Sequence, residues 1–123
     1  MRDILAEIVE KKRAIVADAK KRRPLDELKE NLPCGTFRMA EHFRWRGWGL
    51  IAECKLQSPA KGRLTTMHSV LELADLYTAA GAAVLSVHTD PHFLGSNEDF
   101  AAVRARVDTP LLRKDFIIDP YQV

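Results

Sequence analysis

Leu50-Ile51-Ala52-Glu53-Cys54-Lys55, followed by the turn-rich run Ser58-Pro59-Ala60-Lys61-Gly62, is the stretch that decides how the chain is read. A short apolar run carrying an acid and a base two residues apart reads as a strand, because alternate strand residues share a face. Glu53 and Lys55 then point the same way as Ile51. On a solvated strand they form a cross-face ion pair; on a face lining the interior of a sheet or barrel they are costly unless paired or used, which makes them a candidate site.

A second strand of similar build, Leu111-Leu112-Arg113-Lys114-Asp115, follows Pro110. Leu112 and Lys114 share one face, and Leu111, Arg113 and Asp115 the other. Lysines thus end two separate strands. Strands whose C-terminal ends converge on one pocket belong to parallel α/β architectures, above all the (β/α)8 or TIM barrel.

Between and around these strands the pattern alternates. Residues 2–22 place Ile4, Leu5, Ile8, Val9, Ile15, Val16 and Ala19 on one helical stripe, with Lys11, Lys12, Arg13, Lys20, Lys21, Arg22 and Arg23 on the other side and at the end. That basic face reads as a solvated one, helped by cations near a helix C-terminus, in preference to an anionic partner. Pro24 ends the pattern, and Leu25-Asp26-Glu27-Leu28 opens a further short turn. Over residues 31–48, where Pro33 and Gly35 break the chain, Phe37, Phe43, Trp45 and Trp48 interleave with Arg38, Arg44 and Arg46. Such alternation suits stacking on single-stranded nucleic acid, or an apolar plug with charged tips; the plug is the preferred reading.

Ser58 to Leu64 reads as a long strand-to-helix loop, and Val70, Leu71, Leu73, Ala74, Tyr77 and Ala80 as a helix closed by Gly81. Ala83 to Thr89 is a further strand, with Val84, Ser86 and His88 on one face and Leu85, Val87 and Thr89 on the other. Ser96 is placed to cap a helix with an acid three residues on, and Phe100, Val103 and Val107 supply its buried stripe. Asp119-Pro120 opens another helical turn.

At 123 residues the chain suits one modest domain and is short for a closed barrel, which needs about 250. With 46% hydrophobic and 29% charged residues it is not disordered by composition. A net charge of +2 is too small to argue for nucleic acid. No apolar run approaches the roughly 20 residues that span a bilayer. Cys34 and Cys54, unpatterned, fit a reducing cytoplasm better than a disulfide framework or a zinc site.

Ala52-Glu53-Cys54-Lys55, Ser58-Pro59-Ala60-Lys61-Gly62, Leu85-Ser86-Val87-His88-Thr89-Asp90 with Phe93-Leu94-Gly95-Ser96, and the run from Leu111 to Gln122 occur in an order and spacing that resemble the indole-3-glycerol phosphate synthases of tryptophan biosynthesis. The resemblance spans nearly the whole chain and only the front of that family's barrel. It implies an N-terminal helical extension over 1–48, then the first β/α units of a TIM barrel over 49–123, with three parallel strands. It implies a lyase that closes the indole ring of 1-(2-carboxyphenylamino)-1-deoxyribulose 5-phosphate with loss of carbon dioxide and water, and no metal or organic cofactor.

By the same resemblance Lys114 matches the general acid of ring closure. Lys55 matches the lysine that meets the substrate carboxylate and serves dehydration, and Glu53 the carboxylate that tunes both lysines. Ser58, Phe93 and Phe116 match substrate-enclosing residues. Asp115 reads as a charge facing the helices. Ala60, Leu56 and Gln57 depart from the family's usual residues, as does His88, which stands where leucine is usual and reads as a core histidine or a pH-sensitive addition to the pocket.

The family's later catalytic residues and phosphate cradle lie outside this sequence. The chain is therefore expected to be part of a longer barrel and inactive alone, acting on a phosphorylated small molecule when whole and on neither nucleic acid nor membrane. The alternative expectation is a non-catalytic partial barrel that self-associates, or pairs with a complementary C-terminal fragment, through its open strand edges.

Overall fold

The computed structural model describes residues 3–123, the side chains of residues 45 and 46 excepted. These fall into two compact units. One comprises the chain up to Thr36 together with Phe116–Val123, and the other is Phe37–Asp115.

In the first unit, helix α1 (Ile4–Arg22) begins at Asp3, whose carboxylate accepts from the Ala6 amide at 3.1 Å. Ile8, Lys12 and Val16 are its buried residues, while Ile4, Leu5 and Ile15 are exposed. Lys12 therefore leaves the solvated face assigned to it by charge. Spacing explains this: residues 8, 12 and 16 form one i, i+4 row, so a long side chain between two apolar ones is drawn in along its stem. Helix α2 (Leu25–Glu30) follows Pro24. A 3-10 turn, Pro120–Gln122, is capped reciprocally by Asp119 and Gln122. It is tied to the end of α1 by Lys20 Nζ on Asp119 Oδ2 at 2.6 Å, and by the Tyr121 hydroxyl facing the Ala19 and Arg23 carbonyls at 3.0 and 2.7 Å.

The second unit opens with helix α3 (Arg38–Arg46). Helical periodicity there disperses the aromatic–arginine alternation over several faces. Phe43 is half-buried, whereas Phe37 and Trp48 stand 78% and 81% exposed. The side chains of Trp45 and Arg46 lie outside the described residues.

The rest is a β/α succession: β1 (Ile51–Cys54), a hairpin of β2 (Gln57–Ser58) and β3 (Gly62–Arg63), α4 (Val70–Ala79), β4 (Val84–His88), α5 (Asn97–Arg106) and β5 (Leu111–Lys114). Strands β1, β4 and β5 pair in that order, all parallel. The register sets Glu53 opposite Ser86, Ser86 opposite Leu112 and His88 opposite Lys114.

One face of the sheet carries the core. Cys54, Leu85 and Val87 pack with Val70, Leu73 and Ala74 of α4 and with Val103 of α5 and Val107. Burial of Cys54, with the Glu53 charge beside it, pushes its thiol up to about 11, so it is an inert packing group. Ser69 and Glu72 form a capping box at α4, Ser96 accepts from the Asp99 amide at α5, and Arg106 clamps Asp75 between the two helices. The other face carries Ile51, Glu53, Ser86, His88, Leu112 and Lys114.

Where a long loop was expected after β1, the chain makes the small β2–β3 hairpin, closed by Gly62 at φ +66° and by the Leu64 amide on the Leu56 carbonyl at 2.8 Å.

Candidate active site

Two physical facts gather polar groups at the C-terminal ends of the strands. Parallel pairing aligns those ends, and strand alternation turns every second residue to the face opposite the helices. Glu53 near the end of β1 lies among them. Its Oε1 is 2.7 Å from Lys55 Nζ and 3.3 Å from His88 Nε2, and its Oε2 accepts from the Ser86 hydroxyl at 3.1 Å. Burial pushes the Glu53 carboxyl up. The hydrogen bond and charge of Lys55, with the His88 ring alongside, outweigh that, and the group sits below its ordinary value. Lys55 is about one-third exposed and hangs over the Phe93 ring, its nitrogen 5.8 Å from the centroid.

Phe93 closes the 3-10 turn Pro91–Phe93 that follows β4, and its ring lies flat on His88 with centroids 4.6 Å apart and planes 10° apart. Gly95 allows this close return of the chain, since a Cβ there would overlap the His88 carbonyl. Asp90, fully buried, holds the His92 backbone amide and ring Nδ1, each at 2.8 Å. Gln57 of the hairpin donates to the His92 carbonyl at 3.2 Å, tying the loop after β1 to the turn after β4.

Lys114, at the end of β5, stands exposed on the same face as Glu53. Its neighbours in sequence turn the other way. Arg113 Nε donates to the Thr89 hydroxyl at 3.1 Å, and that hydroxyl donates to Asp115 Oδ2 at 2.6 Å. The Thr89 amide bonds the Lys114 carbonyl at 3.0 Å. Backbone on both sides of Lys114 is thereby held, and Asp115 is a buried hydrogen-bonded carboxylate rather than a bare charge facing the helices.

The structure therefore brings Glu53, Lys55, Phe93 and Lys114 to one end of one sheet. Ser58 sits in the hairpin, half-buried, its hydroxyl accepting from the Lys61 amide at 3.2 Å. Phe116 belongs to the other unit, where its carbonyl accepts from Gln122 Nε2 at 3.0 Å. Lys55 is partly buried and Lys114 exposed. Ser86 and Gln57 were not singled out as site residues by sequence reasoning. For Ser86 the signal was available, because it shares the Glu53-facing side of β4 with His88. Among the described residues no cluster of three or more His, Cys, Asp or Glu is placed to hold a metal ion.

A parallel β/α sheet with an acid and two lysines at its strand ends has the build of parallel α/β architectures, in which functional groups gather at the C-terminal ends of the strands. Comparison with known proteins makes the class particular. The family model described as Indole-3-glycerol phosphate synthase matches residues 5–123. An indole-3-glycerol phosphate synthase of Azospirillum brasilense is 42% identical over 130 residues, covering 100% of this chain and 50% of the relative. One of Saccharopolyspora erythraea is 45% identical over 125 residues, covering 98% and 46%. One of a Nocardioides species is 55% identical over 83 residues, covering 67% and 32%. The chain belongs to the indole-3-glycerol phosphate synthase family, whose fold is the TIM barrel, and it spans about half the length of the curated relatives it matches.

Proposed function

We propose that this chain carries the first reaction groups of an indole-3-glycerol phosphate synthase, acting on 1-(2-carboxyphenylamino)-1-deoxyribulose 5-phosphate. The observation that carries the reading is the Glu53 carboxylate gripping Lys55 at 2.7 Å on the sheet face that also presents Lys114. In ring closure the aromatic carbon bearing the carboxylate bonds to the ketone carbon while Lys114 gives a proton to the ketone oxygen. The carboxylate leaves as carbon dioxide, which restores the ring. The new hydroxyl then leaves as water with a proton from Lys55, while the methylene carbon beside the nitrogen gives up a proton to solvent and the ring double bond forms. Glu53 holds and aims Lys55, and Phe93 offers a flat wall for the aromatic ring. Ser58 and Phe116 are proposed to line the substrate from the hairpin and from the segment after β5. Charge-assisted holding of the substrate carboxylate by Lys55 converts binding energy into orientation.

Titrating labelled chain with the substrate and following side-chain resonances tests this. Shifts centred on Lys55, Phe93 and Lys114 are expected. Shifts confined to residues of the helical unit, such as Leu28 and Ile118, would contradict it.

A second reading, an assembly module, draws on Ile51 and Leu112, apolar residues 47% and 38% exposed on the same face as the lysines. It predicts concentration-dependent mass in light scattering, and a constant monomer mass would remove it.

A further inference from the structure

His88 is the group at this site that the reaction above leaves without a part. It is 5% exposed at the end of β4 and is clamped flat against Phe93. Its Nε2 stands 3.3 Å from Glu53 Oε1, the oxygen that also holds Lys55. No hydrogen bond forms there, and Nε2 is a buried nitrogen without a hydrogen-bond partner. A neutral ring gains little from that contact, whereas a protonated ring gains a carboxylate at ion-pair distance.

From this geometry we infer that His88 is a positioning residue for Glu53 and, through it, for Lys55. While the ring is neutral, Glu53 Oε1 belongs to Lys55; when the ring takes a proton, it claims the same oxygen and the hold on Lys55 loosens. The inference rests on the reading of Glu53 and Lys55 as reaction groups.

The charged groups facing the ring are Glu53 from β1, Lys55 from the segment after it and Lys114 from β5, opposite His88 in the sheet. Burial pushes the imidazole down, Glu53 pulls it up, and the two lysines push it down again; the net is below the ordinary histidine value. The ring is therefore neutral at neutral pH and the Lys55 arrangement is the resting one. Stacking on Phe93 keeps the ring from swinging away as the charge changes.

The test is a histidine-edited NMR titration of the whole chain, with the His88 signal assigned by its loss in His88→Gln. In the native chain its midpoint is expected below that of an exposed imidazole. In Glu53→Gln the proton affinity of His88 should fall about threefold or more, and in Lys55→Met it should rise by a similar factor. Unchanged backbone amide signals away from the site report that each variant is folded. Lys55→Met, at a one-third exposed position, carries the test if Glu53→Gln does not fold. A His88 midpoint that ignores both substitutions overturns the inference, as does a midpoint equal to that of an exposed histidine. Absence of turnover with this coupling intact would remove the reaction assigned to Lys55 and leave the coupling standing. Turnover with no coupling would remove the role of His88 alone. In turning-over protein, His88→Leu should move the acid limb of the pH profile, whereas a packing role would lower the rate equally at every pH.

Discussion

Glu53 Oε1 and Lys55 Nζ meet at 2.7 Å where the first strand ends, two residues apart on one side of the chain. Each is about one-third exposed, so the pair is neither a fully screened surface bridge nor a fully buried one. Its effect is directional: it fixes a flexible lysine and keeps the carboxylate ionised.

Removing the cation should show this directly. In Lys55→Met, burial acts on Glu53 with less compensation, and its carboxyl is expected to titrate higher than in the native chain. The side-chain carboxyl carbon shift followed against pH reads it. An unchanged or lower midpoint would mean that Lys55 does not hold Glu53 in solution.

Stability should decline on acidification in two stages. The His88 value is lowered, so its contribution is complete above the unfolded histidine value of about 6.5 and is lost as pH falls from there towards the folded value. Glu53, Glu72, Asp75 and Asp119 are also lowered, by their partners, and their contributions are present above the unfolded carboxyl values near 4 and lost below them. Urea midpoints at a series of pH values are expected to fall first as pH drops below about 6.5 and again below about 4. A flat profile down to pH 3 would contradict the folded-state pairing.

Leu85 faces α4 and α5 with no exposed surface, whereas Leu112 lies on the other side of the sheet at 38% exposure. Leu85→Ala is expected to cost about 2–5 kcal/mol by loss of transfer energy and formation of a cavity. Leu112→Ala should cost about 1 kcal/mol or less. Equal losses in denaturant unfolding would mean that both faces are covered to the same degree.

Ser69 and Glu72 each satisfy a backbone amide of the other, at 3.2 and 2.7 Å. Ser69→Ala is expected to cost about 1 kcal/mol, and Ser69→Asp, which retains an acceptor, only part of that. Thermal unfolding distinguishes the two.

The parts of the fold carried by local chemistry were legible in the residues. Period-two alternation in Ile51–Lys55 and Leu111–Lys114 put the acid and both lysines on one face, Ser96 announced its cap, and Asp119-Pro120 announced a turn. What depended on register was not. Thr89, Arg113 and Asp115 meet only because β4 and β5 pair with His88 opposite Lys114, and a single strand does not reveal its partner's offset. The β2–β3 hairpin was missed because two-residue strands have no periodicity to detect, although Gly62 marked the turn. Lys12 was misplaced by its charge, while its i, i+4 row with Ile8 and Val16 pointed inward. Exposed Phe37 and Trp48 show the converse, since aromatic content by itself does not say whether a segment is covered.

The central claim is that Lys114 and the Glu53–Lys55 pair are reaction groups. The measurement that tests it most directly is appearance of indole fluorescence when the carboxyphenylamino-deoxyribulose phosphate is added to the chain joined or mixed with the remainder of a family barrel, with Lys114→Ala in parallel. Product is expected from the native sequence, with a loss of roughly 10²- to 10⁴-fold in Lys114→Ala, the range for a removed general acid. Product forming at the native rate with alanine at position 114 would contradict it.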